Sequence, residues 1–470
     1  MNAQNENGRP RTAGEAGWHV SRYNLFAKVP DTKMTAIANL YAGNCAEYTP
    51  IEMYLLSVLE ELSEDHPIIE RFAKRGIICK FDERAAIETM GRGTCAFAQT
   101  VSLTICPTMG CNFDCPYCFE DHFAGKMSAE VQDDIVGLAE RMLDASNAKR
   151  LKVTWFGGEP LLAPEIIESL TERLMALVEE RGGTYNADII TNGYLLSQEV
   201  ADMLERCKVA SAQITIDGLG ATHDATRHLV GGGPTFERIV ANLRDVKMSF
   251  FVNVRHNVHE DNRHEMDELK AFVEKLAEES GNEIEYYPAP VSGNEVADER
   301  GGQVGLLCDS NESEVSIRQE AGRFSRGSGH YCGAQSIWGV GIDERGNLQK
   351  CWEAVDKPHI SFGTAHDWDP TDPLATASNP DCLTMYLNTA CPVPDDECRD
   401  CVWLPLCSGG CPQKRLFSER ACVAFKDDPE RYVLALHARI GENRKGRAAD
   451  SGNSDTADLA NGAAGGDELG

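Results

Sequence analysis

From residue 101 onwards the apolar positions switch repeatedly between two periods. VSLTICP, LKVTWFGG, NADIITNG, ASAQITIDG, FFVNVRHNVH and EIEYYPAPV are short, alternating or continuously apolar runs that read as strands. Between them, apolar residues recur every third or fourth position over 128–145, 164–181, 197–207, 235–247 and 261–279, which read as helices. Ser128 and Ser197 stand where N-caps are needed, and Glu199 falls in the first turn of its helix. Six strands alternating with five helices predict parallel strands joined by right-handed crossovers. The fold class is therefore α/β, a partial TIM-like (βα)6 barrel that does not fully close.

On either side the pattern changes. Between about 20 and 95, YNLFAKV, MTAIANLYAG and IICKF read as strands, and PIEMYLLSVLEEL and PIIERFAKRG as helices opened by Pro, together a small α/β module. Residues 292–331 are rich in Gly, Ser and charge and read as a linker or functional loop. After them comes a loop-like stretch with ten cysteines from Cys308 to Cys422, where metal is expected to replace an apolar core. The expected organisation is a disordered 1–19, an N-terminal module at 20–96, the barrel at 97–291, the linker at 292–331, a cysteine-rich domain at 332–440 and a disordered tail at 441–470.

Charge and cysteine count narrow the chemistry. A formal net charge of -29 repels phosphate backbones and argues against nucleic acid as the main partner, while it suits a cationic peptide. No apolar run approaches the ~20 residues of a membrane span, and no apolar stretch follows the basic residues near Met1, so a cytoplasmic protein is expected. Eighteen cysteines in a reducing compartment are ligands or core residues rather than disulfides. Cys45, Cys79, Cys95 and Cys207 lie singly among apolar neighbours and read as small buried hydrophobes.

The others cluster. CNFDCPYCFE places Cys111, Cys115 and Cys118 at C-x3-C-x2-C just after the first barrel strand, at the end where βα barrels carry their active sites. Three thiolates there could hold three irons of a 4Fe-4S cluster and leave the fourth open, or bind zinc, or serve structure only. Cys106, in or at the end of the strand, reads as buried. With Tyr117 before the last cysteine, the motif resembles the signature of the radical S-adenosylmethionine (SAM) superfamily.

That resemblance extends along the barrel. Phe156-Gly157-Gly158-Glu159-Pro160 is similar to the family's GGEP motif, in which the strand-end backbone and the glutamate meet the amino group of SAM; physically, glycines let a ligand approach the backbone and a carboxylate pairs with an ammonium. Thr191-Asn192-Gly193 and Thr215-Ile216-Asp217-Gly218 resemble segments that line the SAM site, and Arg227 resembles the arginine that pairs with the SAM carboxylate. The implied SAM contacts are Tyr117, Gly157, Gly158, Glu159, Asn192, Asp217 and Arg227, with the SAM-binding cluster on Cys111, Cys115 and Cys118.

Cys332 and Cys351 are spaced C-x13-G-x4-C about Gly346, followed by Cys398, Cys401, Cys407 and Cys411 at C-x2-C-x5-C-x3-C and then Cys422. Spacing alone would also fit a zinc ribbon. After the motifs above, the pattern resembles the seven-cysteine SPASM domain, which implies two auxiliary 4Fe-4S clusters and three in all. The resemblance puts Cys398, Cys401, Cys407 and Cys422 on one, and Cys332, Cys351 and Cys411 on the other. Either Cys308, Cys382 or Cys391 closes the second cluster, or its free iron takes a substrate thiolate.

The implied function is a radical SAM oxidoreductase that takes hydrogen from a ribosomal precursor peptide through a 5'-deoxyadenosyl radical, forming thioether or related crosslinks. The N-terminal module resembles leader-recognition elements in outline. Its partners would be the precursor peptide and an electron donor such as a flavodoxin or ferredoxin, with no nucleic acid and no membrane. The alternatives are an anaerobic sulfatase-maturating, formylglycine-generating enzyme and, in another class, a non-catalytic iron-sulfur electron carrier or zinc-binding adaptor.

Overall fold

The computed structural model describes residues 11–97, 99–290, 332–390, 395–417, 422–423 and 426–451. The expected linker at 292–331, Cys308 and Cys391 lie outside these residues, as do 1–10 and 452–470 of the two ends expected to be disordered. The chain divides into two compact units. Among the described residues, one holds 11–80 and 427–451 and the other 81–290 and 332–426.

In the first unit, β1 (His19–Val20), β2 (Asn24–Lys28), β3 (Thr35–Asn39), β4 (Asn44–Tyr48), α1 (Pro50–Ser57), α2 (Pro67–Lys74) and β5 (Ile78–Cys79) follow in order. β2, β3 and β4 form an antiparallel meander, and β1 pairs with β5. Thr49 and Glu52 close the start of α1 reciprocally: each backbone N–H donates to the other's side chain, at 2.7 and 3.2 Å. Ile37, Tyr48, Ile69, Phe72 and Ile77 form the core, and the helix Pro429–Ser451 packs on the meander. β4 was not anticipated, because NCAEY carries three polar residues and no clean alternation.

The second unit opens with an unanticipated helix, α3 (Glu83–Ala96), capped by Asp82. Then come β6 (Thr100–Ile105), α4 (Ala129–Ser146), β7 (Arg150–Trp155), α5 (Pro164–Glu180), β8 (Thr184–Thr191), α6 (Gln198–Arg206), β9 (Val209–Thr215), α7 (Ala221–Thr226), α8 (Phe236–Asp245), β10 (Phe251–Val258), α9 (Met266–Ser280) and β11 (Ile284–Pro290). The six expected strands pair in parallel in sequence order, and the Ser128 and Ser197 hydroxyls cap α4 and α6. The fold is the α/β partial barrel anticipated. Along β10, Val252, Val254 and Val258 are buried while Asn253, Arg255 and Asn257 occupy the other, half-exposed face. A period of two thus separates the helix-packed wall of the barrel from a polar interior. No helix among the described residues is long and apolar enough to cross a membrane.

The sheet does not stop at β6. β12 (Gly339–Ile342) pairs with it in parallel, and β13 (Asn347–Gln349) and β14 (Gly363–Thr364) continue antiparallel, giving nine strands in the order β11-β10-β9-β8-β7-β6-β12-β13-β14. Val340, Ile342, Leu348, Phe362, Trp368, Leu383 and Tyr386 are buried and continuous with the barrel core. This corrects the expectation that metal replaces an apolar core after residue 332. Strands of four, three and two residues, with Gly339 and Gly341 in the first, are too short to show a period in the sequence.

Ile342, fully buried on β12, tests that core. Ile342→Ala is expected to lower the stability of the metal-free protein by about 2–5 kcal/mol in urea unfolding. A C-terminal region held by metal alone would leave the metal-free protein unaffected.

Candidate functional site

The cysteine loop begins one residue past Cys106, which is fully buried behind the end of β6. Burial pushes the Cys106 thiol well up, and Glu120, Asp343, Glu344 and Asp356 push it the same way. The loop is pinned from both sides. Phe113 is buried between the first two cysteines, edge-on to Tyr194 at 5.9 Å between ring centroids. The Asp114 N–H donates to the His228 carbonyl at 3.0 Å, and the Val230 N–H to the Asn112 carbonyl at 2.9 Å. A loop without a regular ladder must satisfy its backbone in this way if it is to hold three sulfurs still.

Cys111, Cys115 and Cys118 come close enough for their charges to be felt mutually. Burial pushes Cys111 and Cys118 up to about 12 and raises Cys115 as well. Three neighbouring thiolates in so dry a place need a bound cation to stay ionised, so the donor set fits a thiolate-held metal cluster. The Phe113 N–H already donates to the Cys111 sulfur at 3.4 Å.

The GGEP segment meets this loop directly. The Glu159 N–H donates to the Gly110 carbonyl at 2.9 Å. A Cβ on Gly157, whose φ is +104°, would lie 2.4 Å from the Thr108 carbonyl oxygen, and one on Gly158 would lie 2.4 and 2.5 Å from those of Gly110 and Met109. The two glycines are thus required by the approach of the cysteine loop itself, whereas the sequence reading ascribed them to a ligand. Glu159 is fully buried: Oε1 accepts from the Leu161 N–H at 2.9 Å and the Thr191 hydroxyl at 2.7 Å, and Oε2 from the Asn192 N–H at 2.7 Å. Burial raises its pKa, and these three donors oppose the rise.

The remaining expected residues gather around the same loop. Asn192 donates from Nδ2 to Asn112 Oδ1 at 2.7 Å. Tyr117 donates its hydroxyl hydrogen to Asp217 and accepts from Arg227 Nη1 at 2.8 Å and Asn257 Nδ2 at 3.3 Å. The Arg227 guanidinium sits 5.7 Å from the Phe113 ring centroid, and its Nε is buried without a hydrogen-bond partner. Asp217, fully buried, also accepts from the Asn257 N–H at 3.1 Å, and its own N–H donates to His223 Nδ1 at 3.1 Å. Burial holds His223 well below the usual histidine range, which suits that acceptor role. Asn112, Phe113, His223 and Asn257 escaped the sequence reading; the alternation along β10 was the signal for Asn257.

The second cysteine constellation separates in space into two sets. Cys332, Cys351 and Cys411 lie within electrostatic reach of one another, and Cys407 is likewise close to Cys401, Cys398 and Cys422. Cations point at the second set: Arg415 Nη1 donates to the Cys398 sulfur at 3.2 Å, and Lys426 Nζ to that of Cys422 at 3.7 Å. Cys382 directs its thiol to the Ile360 carbonyl at 2.9 Å. Cys45, Cys79, Cys95 and Cys207 are buried, as their apolar surroundings suggested.

Residues 105–273 match the model of the Radical SAM superfamily. Over those residues the chain carries a radical SAM domain. Its family implies a 4Fe-4S cluster and SAM, and the loop and strand ends just described lie within the matched residues. Pre-heme d1 synthase of Dinoroseobacter shibae is 28% identical over 37% of this radical SAM chain, which spans only 39% of that relative's length. A cysteine-type anaerobic sulfatase-maturating enzyme of Clostridium perfringens is 26% identical, over 70% of this chain and 91% of its own. The solved structure of native anSMEcpe with bound AdoMet and Cp18Cys peptide superposes with a TM-score of 0.53 at 20% identity, covering 74% of this chain and 99% of that one, which supports the fold.

Gly158→Ala is expected to drive the loop at Met109 and Gly110 away and to destabilise the protein by about 1–3 kcal/mol, as overpacking does. Thermal unfolding measures it; an unchanged midpoint would mean that the two backbones do not meet as described.

Proposed function

We propose that the chain cleaves SAM reductively at a cluster held by Cys111, Cys115 and Cys118 and uses the product to modify a ribosomally made peptide, forming a thioether or related crosslink. When bound and reduced, the cluster would supply the electron that splits the sulfonium S–C5' bond of SAM into methionine and a 5'-deoxyadenosyl radical able to take hydrogen from an unreactive carbon. The protein's part is to bind, orient and exclude water. Glu159 would hold the SAM amino group, Arg227 its carboxylate, and Tyr117, Gly157, Gly158, Asn192 and Asp217 the rest of its bed. Cys398, Cys401, Cys407 and Cys422 would complete one auxiliary cluster. The polar inner face bearing Asn253, Arg255 and Asn257 would receive the substrate.

The observation that carries the crosslinking reading is the set of three at Cys332, Cys351 and Cys411. Cys382, a candidate to close that site, gives its hydrogen to Ile360 instead, which favours an iron open to a peptide thiolate. Such a ligand would be acidified and placed beside the carbon radical. Cys308 and Cys391 remain the other candidate ligands. A second reading, oxidation of a sulfatase cysteine to formylglycine, is favoured by the 91% of the Clostridium perfringens enzyme that the chain matches. Mass spectrometry separates the two. A cysteine-bearing precursor peptide that loses hydrogen and keeps its sulfur supports crosslinking; loss of sulfur with gain of an aldehyde supports the second reading.

Anaerobically reconstituted protein is expected to carry about twelve irons, four for each of three cubanes. Iron near four together with bound zinc would contradict the auxiliary clusters. Glu159→Gln is expected to weaken SAM binding by about 1.5–3 kcal/mol with the iron content intact. An unchanged affinity in titration calorimetry would return Glu159 to a purely structural tie between β7 and β8.

A further inference from the structure

Lys350 follows β13 directly and precedes Cys351. It is 4% exposed, yet a lysine is among the residue types least often buried without a counter-charge. Its Nζ donates to the carbonyls of Ser336 and Gly339, which satisfies two of three N–H groups, and lies 5.9 Å from the Phe362 ring centroid. The two carbonyls are brought together by the turn that follows Cys332. A Cβ on Gly339 would lie 2.6 Å from the Gly333 carbonyl oxygen, so only glycine lets the start of β12 close on that turn. No carboxylate among the described residues forms an ion pair with Lys350. Burial pulls Lys350 down to about 7, and the sulfurs of Cys332 and Cys95 oppose that fall. Cys332 belongs with Cys351 and Cys411, whereas Cys95 is a buried thiol on α3.

A buried lysine amine fixed by two carbonyls, with no carboxylate paired to it among the described residues, marks a place where an anion is to sit. We propose that Lys350 is the counter-cation of the thiolate-ligated cluster at Cys332, Cys351 and Cys411 and sets its reduction potential. The inference rests on the auxiliary-cluster reading above. A cluster's negative charge favours the ammonium form of an amine beside it, and that ammonium in turn favours the reduced, more negative state, so Lys350 makes that cluster the readier acceptor for an electron leaving the substrate. Lys350 is a positioning charge, not a catalytic residue.

The test is an EPR-monitored redox titration of the reconstituted enzyme, in which loss of that cluster's signal in Cys332→Ala identifies it. Lys350→Met, which keeps the stem and removes the charge, is expected to make reduction at least tenfold less favourable, a shift of about 59 mV to more negative potential for a one-electron couple. Lys350→Arg is expected to restore most of it, and the potential of the four-cysteine cluster to change little. In the metal-free protein, Lys350→Met is expected to raise the unfolding midpoint, because the uncompensated charge is gone. An unchanged potential in Lys350→Met with iron content intact overturns the proposal and leaves the auxiliary clusters standing. Loss of the cluster in Lys350→Met but not in Lys350→Arg supports it, and loss in both overturns it in favour of packing alone. Wild-type protein with no signal that depends on Cys332 overturns the cluster reading itself, and the proposal with it.

Discussion

The arrangement at the C-terminal end of the parallel sheet depends on one close approach, that of the backbone at Thr108, Met109 and Gly110 to the backbone at Gly157 and Gly158. Two chains without side chains between them can come near enough for the Glu159 N–H to reach the Gly110 carbonyl. From that contact the rest follows in order. Glu159 turns inward and ties the end of β7 to Thr191 and Asn192 at the end of β8. Asn192 reaches back to Asn112, and Tyr117 to Asp217 and Arg227, so that both ends of the cysteine loop are held by the strand ends they face. The three sulfurs are thereby placed by packed backbone and buried hydrogen bonds, the kind of support a reactive centre needs if its ligands are not to wander.

Electrostatics divides the cysteines into kinds that burial alone does not distinguish. Cys106 and Cys115 are both buried, but the charges felt at Cys106 are acidic, whereas Cys115 has Arg227 close to it as well as Asp217 and Asp114. At the far sites, Arg415 and Lys426 approach Cys398 and Cys422, while Lys350 lies beside Cys332. Thiols such as Cys382, whose hydrogen goes to a carbonyl, are suited to remain protonated.

The barrel was legible because each of its strands is long enough to show alternation and each helix long enough to show a stripe. Ser128 and Ser197 then set two of the helix starts. The motif residues were legible by spacing, although the glycines of GGEP proved to make room for a neighbouring loop. What stayed hidden was short or made of long-range contacts. β12 to β14 are too brief for periodicity, NCAEY lacks it, and α3 is announced only by Asp82 and a weakly amphipathic run. The ties from Asn112, Phe113 and Asn257 could not be read, because each depends on a partner eighty or more residues away. Lys350 looked like an ordinary charged residue after a strand until β12 and the turn at Cys332 closed over it.

The central claim is that Cys111, Cys115 and Cys118 hold the centre that cleaves SAM. Its most direct test replaces all three with Ala, reconstitutes the protein anaerobically, reduces it and measures 5'-deoxyadenosine formed from SAM. The account predicts no 5'-deoxyadenosine, the loss of one cluster's iron, and retention of the iron assigned to the other cysteines. Continued formation of 5'-deoxyadenosine by the triple variant would place the chemistry elsewhere in the chain and contradict the account.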